Sequence, residues 1–177
     1  MGNFLTYATL LSRLHADLLV VRLKHAGVDT TQISMIHPKD MQPNSTLCWV
    51  EGATRVPVLS GESVVVAGPL RFALYQMHKH VISDSLAEHL QNLGLTKAQS
   101  MGVEERLAEN RIVVTVELQH KRQLPAVLGA MDKVSAENVC TCELSLNERQ
   151  DARSVVKKNA DHNHFDLSAD TLVPINI

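Results

Sequence analysis

The chain has 177 residues with 45% hydrophobic and 20% charged side chains, the composition of a globular domain and not of a disordered chain. A net charge of -2 and 3% aromatic residues exclude a protein built to hold a phosphate backbone or to stack bases, so no nucleic-acid partner is expected. No apolar run reaches the ~18 residues of a membrane span, and no basic stretch with an apolar core opens the N-terminus.

These features describe a soluble, cytoplasmic protein without stable membrane insertion. The cysteines Cys48, Cys140 and Cys142 leave one residue over in any disulfide scheme, which suits a reducing compartment. The opening Met1-Gly2-Asn3-Phe4-Leu5-Thr6 fits only the loose myristoylation template.

In chain order, residues Asn3 to Ala8 form a β-prone segment. A helix follows, with Leu11, Leu14, Leu18 and Val21 at helical spacing as its expected core stripe. Gly27 ends it in a left-handed conformation, with Val28 closing onto Leu23. A strand from Gln32 to His37, stopped by Pro38, completes a first β-α-β unit.

A polar loop from Lys39 to Ser45 leads to β-prone runs at Leu47 to Glu51, Arg55 to Leu59 and Ser63 to Ala67, with Gly61 as turn residue. Pro57 demotes the middle run to an edge strand. Gly68-Pro69 starts a helix with the stripe Leu70, Ala73, Leu74, Met77 and Val81. Ser83 or Asp84 is expected to cap the next, whose face is Leu86, Leu90 and Leu93 and whose end is Gly94. Thr96 with Gln99 is a capping box for a further helix running to about Glu109.

Ile112 to Leu118 is rich in β-branched and apolar residues and long enough to lie centrally in a sheet. Pro125 lies in the first turn of a helix with Leu124, Val127, Leu128, Met131 and Val134 on one face, so Leu128→Ala is expected to cost about 2–5 kcal/mol. From Val139 to Leu146, Cys140, Cys142, Leu144 and Leu146 alternate with polar residues, giving a strand with one apolar face.

The expected fold is therefore α+β. It is a ferredoxin-like sandwich of two β-α-β halves on an antiparallel sheet, helices on one face, with an inserted hairpin and helices between the halves. Residues 1–146 form this single domain, the insertion spans about 39–109, and 147–177 is a C-terminal extension. Such a sheet leaves a face and two edges uncovered, and self-association into a homo-oligomer, a dimer first of all, is the expected cover. The apolar ending Leu172, Val173, Ile175 and Ile177 could cover such an edge by strand addition.

Three stretches resemble the bacterial general-stress and low-temperature-induced protein family: Leu23 to Val28 leading to Ile33-Ser34-Met35-Ile36, then Val65 to Leu70, then Leu86 to Leu95 with Glu105-Arg106-Leu107 and the strand Ile112 to Leu118. The resemblance covers about residues 3 to 145 and implies a ferredoxin-like domain associated with stress responses. It brings no catalytic residue. Where many members carry a Gly/Ala-rich apolar segment, this chain has Thr46 to Ala67 with Glu51, Arg55 and Glu62.

The densest set of metal-ligand types is Asp161-His162-Asn163-His164-Phe165-Asp166. In an extended segment His162 and His164 project to one side, with Asp161 and Asp166 nearby, a donor set that suits a divalent transition metal. The alternative is a solvated tail. Cys140 and Cys142 share a face with Leu144 and Leu146, which points to burial over ligation, and two thiolates do not complete a tetrahedral site. His78 and His80 lie about 200° apart on a helix and cannot chelate together. No nucleophile elbow, phosphate loop or metalloprotease motif is present. The residues thus favour a non-catalytic binding or regulatory protein without a cofactor. The alternatives are a metal-binding protein or small metal-dependent enzyme on the Asp161 to Asp166 cluster, or a small-molecule sensor with a cleft between the sheet and the inserted hairpin.

Overall fold

Apolar side chains point to both faces of the strands Phe4–Leu10 (β1) and Ile112–Leu118 (β5), so both faces need cover. The computed structural model describes residues 4–39, 53–57, 63–74 and 85–144. Its other elements are α1 (Arg13–His25), β2 (Ile33–Pro38), β3 (Ala53–Pro57), β4 (Ser63–Ala67), α2 (Leu86–Asn92), α3 (Lys97–Ala108), α4 (Leu124–Asp132) and β6 (Glu137–Glu143). The six strands form one sheet in the order β3-β4-β2-β5-β1-β6, and every neighbouring pair is antiparallel. In each of the units β1-α1-β2 and β5-α4-β6 the two strands are parallel, with one strand of the other unit between them. The sheet order therefore interleaves the two β-α-β units, and β5 is central as its sequence requires.

The expectation that helices would cover one face alone is corrected. Helices α1 and α4 close one side, over Ala8, Leu10, Ile33, Met35, Ile112, Val114 and Val116. The inserted segment closes the other, where Leu70, Leu74, Leu86, Leu90, Val103 and Leu107 pack on Leu5, Tyr7, Ile36 and Val113. The physical reason is the apolar character of β1 and β5 on both faces, which leaves no side to face water.

Helix α1 turns a different face inward from the one expected. It buries Ala16, Leu19, Val20 and Leu23, whereas Leu14 is 74% exposed and Leu18 and Val21 are exposed as well. Its C-terminal end matches expectation: Gly27 has φ 80°, and the Val28 N–H donates to Leu23 O at 2.9 Å, the Schellman closure. In α4, Val127, Ala130 and Met131 are buried, with Val134 just beyond, but Leu128 is 37% exposed. The cavity cost assigned to Leu128 therefore belongs to Val127 and Met131.

In the insertion, β3 is an edge strand, as Pro57 implied. Helix α2 is capped by Ser85, not by Ser83 or Asp84. Ser85 and Glu88 form a reciprocal box, while Glu104 of α3 accepts from the Ala87 N–H at 2.9 Å. Thr96 and Gln99 cap α3 as expected. Gly94, at φ 108°, turns the chain between α2 and α3, with the Leu95 N–H donating to Leu90 O.

His37 of β2 is buried, and its Nδ1–H donates to Pro38 O at 2.9 Å while Nε2 has no hydrogen-bond partner among the described residues. Burial, with a smaller repulsion from Arg13, holds its pKa below the usual imidazole value. The unfolded chain takes up a proton at this histidine near pH 6.5, where the folded chain keeps it neutral. The His37 contribution is therefore fully present above that pH and is lost as pH falls toward the lower folded value. Denaturant melts should show stability falling below about pH 6.5, with a shallower fall in His37→Gln. Equal slopes for the two proteins would refute the assignment.

Candidate binding groove

The bulged edge strand β6 and helix α3 form the walls of a groove over the end of β1. The β1–β6 register runs Phe4 with Glu143 to Tyr7 with Cys140, then jumps to Thr9 with Glu137. The extra residue lies in the Asn138–Val139 stretch, where Asn138 takes φ 49°. A groove of about 390 Å³ lies here, and its lining includes Tyr7, Thr9, Gln99, Arg106, Asn138 and Cys140.

Each polar group has a traceable cause. Gln99 is held at the N-terminus of α3 because its Oε1 accepts from the Thr96 N–H and hydroxyl, which aims its Nε2 at Cys140 Sγ, 2.6 Å away. Arg106 pairs with Glu109 at 2.8 Å on the exposed rim, a contact worth little to stability. Thr9 is only 1% exposed, and its hydroxyl has no hydrogen-bond partner among the described residues. A buried unpartnered hydroxyl costs about 1–3 kcal/mol.

The thiols and the phenol are placed for hydrogen bonding. Burial pushes Cys142 up to about 11, helped by the neighbouring Cys140 and opposed by a hydrogen bond from the Leu5 backbone. Burial also raises Tyr7, with Cys140 and Cys142 adding to the shift. At neutral pH Cys142 is therefore a thiol, a poor nucleophile and a poor metal ligand. Both cysteines are free and half-buried, packed against the core beneath α3. Alternation placed them correctly beside Leu144, but the edge position of β6 leaves them less covered than expected.

The metal-ligand candidates Asp161, His162, His164 and Asp166 lie outside the described residues, as do Cys48, Trp49, His78, His80 and the C-terminal segment from Leu172. Among the described residues no group of three or more His, Cys, Asp or Glu side chains could hold a metal ion. The cleft expected beside the inserted hairpin is not where this groove lies, because the hairpin β3–β4 borders the opposite edge of the sheet. Sequence reasoning missed Tyr7, Thr9, Arg106 and Asn138. The only local signal was Asn138, a residue type tolerant of positive φ at the start of a strand.

No helix of the described residues is long and apolar enough to cross a membrane. Comparison with protein-family models, with curated proteins and with solved structures finds no match for this chain.

Proposed function

We propose that the protein is a non-catalytic binding or regulatory module whose ligand is a small polar molecule held in the groove between α3 and β6. The carrying observation is the groove itself, which brings Tyr7, Thr9, Gln99, Asn138 and Cys140 together, with the Thr9 hydroxyl buried in its wall without a partner among the described residues. Around it, the Tyr7 phenol, the Gln99 and Asn138 amides, the Cys140 sulfur and the Glu105 carboxylate offer donors and acceptors. The interleaved strand order supports a ferredoxin-like arrangement carrying an inserted third layer. The resemblance to the general-stress family supplies the setting, a stress response. The free cysteines Cys140 and Cys142 favour a reducing, cytoplasmic compartment.

A thermal-shift panel of polar metabolites tests the reading. A true ligand at a hundred times its Kd adds about 2.7 kcal/mol of stability. Thr9→Val keeps the side-chain shape and removes the hydroxyl, so it should weaken that ligand ~10-fold, the loss of one buried hydrogen bond. A panel that leaves the melting temperature unchanged, or a ligand indifferent to Thr9→Val, would reject the groove as the site.

A further inference from the structure

Leu11, Leu14, Leu18 and Val21 are spaced three, four and three residues apart, and all four are exposed, Leu11 to 47%, Leu18 to 41% and Val21 to 50%. On α1 itself Leu14, Leu18 and Val21 have the d-a-d spacing of a heptad seam, and Leu11 lies just before the extended Ser12 N-cap. The opposite side of α1 is already packed in the core through Ala16, Leu19, Val20 and Leu23. Single exposed leucines are ordinary, but three apolar residues in register on one helix, with Leu11 exposed just before it, make an apolar stripe.

The charges beside the stripe select the occupant. With Leu18 at a, Asp17 falls at g and Arg22 at e. In a parallel pair of helices, a g residue lies against the e residue five positions on in the other helix. Asp17 then meets Arg22 of the partner subunit, and two-fold symmetry makes the contact twice. Within the chain, neither makes an ion pair among the described residues. The antiparallel alternative that pairs Leu14 with Leu18 would set Asp17 against Asp17 of the partner subunit, a repulsion. We infer that α1 is the docking surface for a second copy of this chain, in a parallel two-fold contact along Leu11, Leu14, Leu18 and Val21.

Sedimentation of the full-length protein across a range of concentrations tests the inference. The wild type should dimerise. Leu14→Glu/Leu18→Glu should weaken the dimer ~100-fold while leaving the circular-dichroism melt unchanged at concentrations that hold both proteins monomeric, since two interface anchors are lost and no core contact is. Asp17→Arg and Arg22→Asp should each weaken it, and the double exchange in one chain should restore it, because the two positions meet only across the parallel pair. A wild type that stays monomeric overturns the inference. So does a dimer indifferent to Leu14→Glu/Leu18→Glu, a dimer lost only on removing residues 170–177, or a double exchange that fails to restore association. Binding of the monomer to anionic vesicles through the same leucines would assign the stripe to a membrane surface and overturn it as well.

Discussion

Gly68→Ala should destabilise the protein by about 3–5 kcal/mol, a large part of the ~5–15 kcal/mol available to a folded domain. Two separate costs add. Gly68 has φ 91°, a left-handed conformation that costs an L-residue with a Cβ about 1–2 kcal/mol. A Cβ there would also lie 2.8 Å from Ser34 Cα and 2.9 Å from Ser34 Oγ, against the backbone of β2, which cannot yield as a side chain can. Overpacking of this kind costs about 1–3 kcal/mol. The same Ser34 hydroxyl accepts from the Leu70 N–H at 2.9 Å, so displacing it also frees the start of the helical residues 70–74. Gly27 is the control: its φ is 80°, but nothing lies within 4 Å of a Cβ built on it, so Gly27→Ala should show the conformational cost alone, about 1 kcal/mol. Urea melts of the two variants decide the matter. Equal losses would mean that the turn at Gly68 does not press on β2.

The contrast between these glycines shows what local sequence can and cannot convey. Several helix stops and caps were legible because each depends on a few adjacent residues, as with Gly27 and Val28, Gly94 after Leu93, and Thr96 with Gln99, although the cap of α2 is Ser85 and not Ser83 or Asp84. The β-branched run from Ile112 to Leu118 announced a central strand for the same reason. The pressure of Gly68 on Ser34 was not legible, since the two residues meet only after β2 and β4 pair. The second helical layer was hidden likewise. Nothing in the spacing of Leu86, Leu90 and Leu93 says which side of the sheet they will cover. The groove was least legible of all. Tyr7, Thr9, Gln99 and Cys140 come from three distant segments that meet only in the assembled sheet, and the bulge in β6 adds Asn138 beside them. Cys140 and Cys142 were placed on the right face because alternation is local, whereas their half-exposure depends on β6 being the last strand of the sheet.

Helix α1 carries the sharpest ambiguity, and its resolution gives the second large effect. It is apolar on two sides, so helical periodicity alone admits either Leu14, Leu18 and Val21 or Ala16, Leu19, Val20 and Leu23 as the buried set. The fold selects the second, with Leu19 and Leu23 fully buried against β1, β5 and α4. Leu23→Ala should therefore cost about 2–5 kcal/mol, from lost burial and the cavity left in a packed layer. It should cost more than its volume alone suggests, because the Leu23 carbonyl accepts the Val28 N–H that closes the helix, and a shifted last turn loosens that bond. Leu14→Ala removes the same atoms from a side chain that is mostly in water, so its change should stay within about 0.5 kcal/mol for the isolated subunit. Melts at concentrations low enough to hold the protein monomeric make the comparison clean. A larger loss for Leu14→Ala than for Leu23→Ala would mean that α1 packs on the sheet through its other face, and the seam assigned to a second copy of the chain would then be the core.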